Sequence, residues 1–432
     1  MFTKVFLFFF GFHFALALKC SPVVPMKTVL KIAFKSEHCT NTDNDDNSTT
    51  HGYFQVAAEI SGDLYPRLKL AGRVVGPLIS ELKFVLDHKK HHWRAYYYLP
   101  INGKYLANVE IRYINFSIKD YENAEVHSTK NEIFTDFAFE TSSNLNMTLS
   151  TKDCTLPDLN KEGFWRPMVT TKISSKWMLD PGNERPTNEQ KYLFELLANN
   201  LIYQPRYCNM KQVQQCTDEA SSQEIGFVGD SQMRHLSSDV YTALTDINID
   251  FDNSIQKTDK SIHLTAHTHF IVDNFASMEF NDDELRQLSN CTVIVVNFGQ
   301  WHLSWLMKIY FNRRPYSLSD FVHLVQSNLK RYRELFPSAK IFYLGTMAIG
   351  QNYRLYLPAD DTRKDFRTDW ILREFNAMAM DACWQVEGVR CLNMFEITNV
   401  VRDLSYDFSH FKAPVGPQLA LALLTALCND GL

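Results

Sequence analysis

"EIGFVGDSQMRHL", residues 224–236, joins two periodicities at a single serine. Ile225 to Gly229 is a run of small and apolar residues with no polar alternation, the pattern of a strand buried on both faces. From Ser231 onward the spacing becomes helical, with Met233, Leu236, Val240 and Leu244 on one face. Two further apolar runs, "TVIVVNFG" (292–299) and "KIFYLGT" (340–346), alternate with helical stretches near 317–336, 368–382 and 414–428. Buried strands alternating with helices predict an α/β domain with a parallel sheet over residues 221–432. Sites in such sheets gather at the carboxyl ends of the strands. All three runs end in a glycine-containing turn there.

Upstream the rhythm differs. "YFQVAAEI" (53–60) puts Phe54, Val56, Ala58 and Ile60 on one face. "ANVEIRY" (107–113) does the same with Val109, Ile111 and Tyr113, after which the phase slips to Ile114, Phe116 and Ile118. The slip predicts a bulge or a strand that changes partner. Short alternating strands without an amphipathic helix predict a β-sandwich over residues 22–150. Within it, "CTNTDNDDNSTTHG" (39–52) reads as a polar, mobile loop and "HKKHHW" (88–93) as an exposed hairpin tip. Residues 151–220 carry turn signals such as Asp180-Pro181-Gly182 and read as a connector packed on the second domain.

The chain begins "MFTKVFLFFFGFHFALALKC". The apolar run from Val5 to Leu18 is short of the roughly 20 residues that span a bilayer, and Ala15-Leu16-Ala17 is a small-x-small cleavage site. Residues 1–17 therefore read as a signal peptide, with an uncleaved anchor as the alternative, and the mature chain as secreted or lumenal to the ER and Golgi. Nine cysteines without a C-x-x-C pair fit disulfides in that compartment. Cys208–Cys216 and Cys383–Cys391 are near enough in sequence to pair, although spacing leaves connectivity open and the odd count leaves one thiol over. Sequons at Asn47, Asn115, Asn146 and Asn290 fit a glycoprotein. A net charge of -5 gives no reason to expect nucleic acid or an anionic membrane as partner.

A serine between a buried strand and a helix stands at free N–H groups and the positive end of the helix dipole, which suits a nucleophile in acyl transfer. Gly229 leaves the turn without a side chain. Ser and Asp before a helix also serve simply as N-caps. A nucleophilic serine needs a base and a group to orient it. "DLSYDFSHFKAPVG" supplies Asp407 and His410, three apart on one side of a helical turn, with the apolar "QLALALLTALC" after them. Asn297 and Gly299, just past a buried strand, bring an amide and a backbone N–H suited to an oxyanion hole, or else only turn geometry.

"FVGDSQMRHL", "NFGQW" and "DFSH" together resemble the PC-esterase family of GDSL/SGNH-like acyl-esterases, over roughly the last half of the chain. That family includes trichome-birefringence-like glycan O-acetyltransferases, the sialate O-acetyltransferase catalytic domain and neurexophilin-and-PC-esterase proteins. The resemblance implies a three-layer SGNH-like domain, Ser231 as nucleophile, His410 as base and Asp407 orienting it. It implies an oxyanion hole from Ser231, Asn297 and Gly299, with Arg234 and Trp301 on the substrate side. "GFW" (163–165) and "QPRYC" (204–208) are similar to the G-x-W and P-x-x-C elements ahead of the family's serine, and a sandwich ahead of the esterase domain resembles the neurexophilin-like members. The chain lacks the Trp and "LPG" that follow Asp-x-x-His in the plant enzymes.

These readings imply hydrolysis or transfer of O-acyl groups, chiefly O-acetyl, on a glycan or glycoprotein, without a cofactor. An alternative is a catalytically inactive extracellular binding protein on the same scaffold, and the sandwich is a candidate surface for a protein partner. A third is transfer from a lumenal donor that a separate membrane protein supplies, since no later stretch is apolar enough to span. "SIHLTAHTHF" would set His263, His267 and His269 on one face of a strand, but without a carboxylate or cysteine at helpful spacing no metal is expected.

Overall fold

The computed structural model describes residues 18–29, 32–41, 51–59, 69–87, 92–113, 133–141, 152–161, 163–167, 201–210, 223–245, 262–265, 268–272, 282–304, 307, 312, 315–350, 367, 369–405, 409–412 and 414–429. The first strands are β1 (Leu18–Val29), β2 (Ile32–Asn41), β3 (His51–Glu59), β4 (Lys69–Val75), β5 (Ile79–Glu81) and β6 (Lys83–Asp87). There follow β7 (His92–Tyr98), β8 (Gly103–Tyr113), β9 (Ile133–Thr141), helix α1 (Leu156–Leu159), β10 (Gly163–Pro167) and β11 (Leu201–Pro205). They form two antiparallel sheets, of five strands in the order β1-β2-β3-β7-β6 and of six in the order β11-β10-β5-β4-β8-β9.

One apolar cluster draws on both sheets. Phe54, Val56, Trp93 and Ala95 come from the first, and Leu70, Val74, Tyr105, Ala107 and Val109 from the second. Phe54 and Val56 of "YFQVAAEI" and Ala107 and Val109 of "ANVEIRY" thus point into this cluster at alternate positions. Ile114, Phe116 and Ile118, to which the phase slips, lie outside the described residues, but β8 carries a bulge just before them. Along β8, Ile111 faces Leu70 and Tyr113 faces Lys69, so Arg112 is the extra residue of a bulge. One expectation is corrected. His92 and Trp93, read as part of an exposed tip, are buried in β7 because Trp93 joins the shared cluster.

Within 151–220, the described residues 152–161, 163–167 and 201–210 contribute to both halves of the molecule. "GFW" lies in β10 and "QPRYC" begins in β11, and these strands pair with Trp165 opposite Tyr203. Trp165 is fully buried, and its Nε1–H donates to Ile397 O at 2.8 Å. A disulfide joins Cys154 to Cys208 and a second joins Cys383 to Cys391. The candidate Cys208–Cys216 pair is therefore replaced by Cys154–Cys208, a contact 54 residues apart that local spacing does not reveal. Cys291 is a free, buried thiol.

The second half begins with β12 (Ile225–Gly229), helix α2 (Ser231–Thr245), β13 (Ile262–Thr265) and β14 (Thr268–Val272). Next come α3 (Asp282–Arg286), β15 (Val293–Val296), α4 (Leu318–Leu335), β16 (Lys340–Leu344) and α5 (Asp369–Trp384). The chain closes with β17 (Val389–Leu392), α6 (Met394–Asn399) and α7 (Val415–Asn429). The sheet runs β13-β14-β12-β15-β16-β17 and is parallel apart from the antiparallel edge strand β13. "SIHLTAHTHF" is therefore not one strand, and His263 and His269 lie on two strands that run in opposite directions.

Alternate strand residues feed two cores. Val228, Ile294, Val296, Ile341 and Tyr343 face α4 and α5, while Phe227, Val293, Val295, Phe342 and Leu344 face α2 and α7. Continuous apolar strands are what a sheet covered on both faces requires. Helix α4 is set by Ser317, whose hydroxyl oxygen accepts from Asp320 N at 3.2 Å, and by Phe321, Val325, Leu329 and Tyr332 on its buried side. The chain leaves β12 for β14 on one side and returns to place β15 on the other. The crevice beyond the carboxyl ends of β12 and β15 is thus the topological switch point, where open α/β sheets bind their ligands.

A polar seam ties the antiparallel sheets to this half. Arg373 and Asn399 both donate to the Glu81 carboxylate, Lys83 pairs with Glu396 at 2.8 Å, and Arg73 Nη1 donates to Val400 O at 3.1 Å. Burial pushes the Glu81 carboxyl upward, against the pull of Arg373.

Candidate active site

Ser231 is the first residue of α2, but Asp230 caps the helix. Its Oδ1 accepts from Gln232 N at 2.9 Å, and its carbonyl accepts from Met233 N and Arg234 N. The cap role is filled one residue upstream, and the Ser231 hydroxyl meets His410 instead, with Nε2 2.6 Å from Oγ. The serine donates this bond when the imidazole carries its proton on Nδ1. Gly229 is required by close approach, since a Cβ there would lie 2.4 Å from Asn297 O. The turn after β12 and the turn after β15 therefore touch backbone to backbone.

His410 directly precedes Phe411, which forms an isolated bridge with Ser405, and the last helix, α7, begins shortly after at Val415. Its ring lies against His235, one turn along α2 from Ser231, with centroids 4.8 Å apart. Its neighbour Ser409 is buried, and its carbonyl and hydroxyl each take part in a bond to a glutamine. Gln232 Nε2 donates to Ser409 O at 2.9 Å, and Ser409 Oγ donates to Gln300 Oε1. Asp407 lies outside the described residues.

Asn297 is almost fully buried. Its backbone N–H donates to Val228 O at 3.0 Å and its Nδ2 donates to Leu344 O at 2.9 Å. One amide hydrogen thus ties the ends of β15 and β16, and the amide has one more. Gly299 has φ of 147°, and a Cβ on it would lie 2.2 Å from Thr346 Oγ1. Thr346 Oγ1 in turn donates to Phe298 O at 3.2 Å. The "NFG" turn is thereby fixed against the segment after β16. Trp301 and Arg234 are half-buried. Arg234 lies one helical step past the serine, and its carbonyl accepts from Ser237 Oγ at 2.8 Å.

Of the sequons, Asn290 is exposed in the turn before β15, and Asn47, Asn115 and Asn146 lie outside the described residues. Among the described residues no group of three His, Cys, Asp or Glu side chains converges as metal ligands would, and no helix is long and apolar enough to cross a membrane.

Five residues at or beside the site went unnoticed in the sequence. Gln232, Gln300 and Ser409 lie inside the motifs already quoted, where they read as spacers. Asp239 lies one turn beyond His235 and two beyond Ser231 on α2, and lines a cavity of about 10 Å³ with Gln232, His235, Met347 and His410. That is room for about one water. Burial pushes the Asp239 carboxyl up to about 7. His302 is fully buried among Phe298, Tyr316 and Phe321, and burial pushes its imidazole down to about 3.

No protein-family model matches this chain, and no curated protein matches it. Several solved structures match the chain at low similarity. A lipase/acylhydrolase from Enterococcus faecalis has 16% identity over 48% of this chain and 96% of its own, with a TM-score of 0.29. A family two carbohydrate esterase from Clostridium thermocellum, in complex with cellohexaose, has 13% identity over 48% of this chain and 64% of its own, with a TM-score of 0.26. The copper-bound FetP variant of uropathogenic Escherichia coli has 10% identity over 29% of this chain and 99% of its own, with a TM-score of 0.19. Likeness at this level says nothing of activity. The geometry of the site carries the functional reading.

Proposed function

We propose that residues 221–432 form an SGNH-like serine acyl-esterase or O-acyltransferase of the PC-esterase type, acting on O-acyl groups, chiefly O-acetyl, of a secreted or lumenal glycan. The observation that carries this reading is the Ser231 Oγ to His410 Nε2 contact of 2.6 Å at the switch point of the parallel sheet. In the proposed reaction His410 takes the Ser231 proton as Oγ attacks the acyl carbonyl. The tetrahedral oxyanion is held by the Ser231 N–H at the helix start, the free hydrogen of the Asn297 amide and the Gly299 N–H. Collapse expels the sugar oxygen, which takes the proton from His410 and leaves an acyl-serine. Water then yields hydrolysis, and a second sugar hydroxyl yields transfer. Asp407 orients the imidazole from its other nitrogen.

The antiparallel sheets we read as a β-sandwich that the Glu81 and Trp165 contacts attach to the catalytic half, leaving its outer surface for a protein partner. Arg234 and Trp301 face the substrate, and the sequons carry glycans. Turnover of a panel of acetylated sugars by the purified glycoprotein tests the reading. Ser231→Ala is expected to lose at least about 10³-fold in kcat/KM with its fold intact. Unchanged turnover in that variant would remove Ser231 from the mechanism.

A further inference from the structure

His410 belongs to neither a helix nor a strand. A base on irregular chain is useful only if something holds it, because proton transfer needs the ring placed to within about 0.5 Å. The structure supplies that hold one residue earlier. The Ser409 carbonyl accepts from Gln232 Nε2, and the Ser409 hydroxyl donates to Gln300 Oε1. The three residues are 6%, 2% and 3% exposed, so water competes little for either bond.

The partners come from the two turns that make up the rest of the site. Gln232 directly follows the serine on α2, and Gln300 directly follows Gly299. We infer that Ser409, Gln232 and Gln300 are positioning residues that lock the His410 segment to both the nucleophile turn and the "NFG" turn. This inference rests on the esterase reading given above.

The chemistry of the glutamines favours this role over plain packing. Gln232 Oε1 and Gln300 Nε2 are buried with no hydrogen-bond partner among the described residues. A methionine or leucine would fill the same space without burying an amide end. What the glutamines gain over such residues is the bond to Ser409. The two bonds also differ in a way that can be measured. Ser409→Ala and Gln300→Met each remove the same hydroxyl–amide bond. Gln232→Met removes a separate bond to the backbone.

The experiment measures kcat and KM for an acetyl ester, the pH–rate profile and the thermal midpoint of each variant. Ser409→Ala and Gln300→Met are each expected to lower kcat about 10- to 100-fold with KM within about twofold. The Ser409→Ala/Gln300→Met double variant should match either single, whereas adding Gln232→Met should multiply the loss. Ser409→Thr, which keeps the hydroxyl, should recover most of the rate. Should Ser409→Ala fail to fold, Gln300→Met deletes the same bond from the other side. The lock is overturned if these variants fold and turn over within twofold of wild type while Ser231→Ala is inactive. If Ser231→Ala itself turns over normally, the esterase reading fails first.

Discussion

Ser231 Oγ and His410 Nε2 lie 2.6 Å apart although 179 residues separate them in the chain. The contact depends on a division of labour at the start of α2. Asp230 satisfies the helix terminus through Gln232 N, so Ser231 is not needed as a cap. It depends as well on Gly229, the only residue type that lets the turn approach Asn297 O. Sheet topology does the rest, since β12 and β15 flank the switch point and bring their turns together.

Gly299 is the turn's most constrained position. Its φ of 147° and the 2.2 Å approach to Thr346 Oγ1 both exclude a side chain. Gly299→Ala should cost about 2–4 kcal/mol in urea unfolding. Gly388 has a positive φ too, but a Cβ there meets only the end of the Arg333 side chain, so Gly388→Ala should cost about 1–2 kcal/mol. Equal losses at the two sites would contradict the account of the "NFG" turn.

His302 should make the fold acid-sensitive. Its imidazole lies at about 3 in the folded chain against 6.5 when exposed. Between those values the unfolded state binds the extra proton, so stability rises with pH across that window. His302→Phe removes the titration and also two ring nitrogens that have no hydrogen-bond partner among the described residues. Its thermal midpoint relative to wild type should therefore be higher at pH 4.5 than at pH 8. A pH-independent offset would show that the histidine does not titrate on unfolding.

Asp239 has the opposite slope. Its carboxyl, at about 7 in the folded chain and 3.8 outside it, keeps a proton on folding that the unfolded chain has lost. Stability attributable to it is full below pH 4 and declines as pH rises toward 7. Asp239→Asn should match wild type near pH 3.5 and melt a few degrees higher at pH 8, with roughly 1 kcal/mol corresponding to 2–4 °C. A higher melt for wild type at pH 8 would mean that the carboxylate is stabilised by a charge partner.

The α/β half was legible because its strands are apolar throughout and its helices are long. The expected helices at 317–336, 368–382 and 414–428 form at Leu318–Leu335, Asp369–Trp384 and Val415–Asn429. Ser231 and His410 were legible as a pair because each sits at a marked joint. Pairings far apart in sequence were not. Cys154 with Cys208, Trp165 with Tyr203 and the hairpin of β13 and β14 depend on which segments meet, and local pattern does not encode that. Trp93 was misplaced because the charged residues around it outweighed one aromatic. Gln232, Gln300 and Ser409 went unread because a buried polar residue differs from an exposed one only in its partners.

The decisive measurement is labelling of the purified protein with a fluorophosphonate serine probe, with Ser231→Ala and His410→Ala alongside. Wild type should label on Ser231, and both variants should lose the label, one for want of the nucleophile and the other for want of its base. Folded wild type that neither labels nor cleaves any acetyl ester, or a His410→Ala variant that labels as fast as wild type, would contradict this expectation.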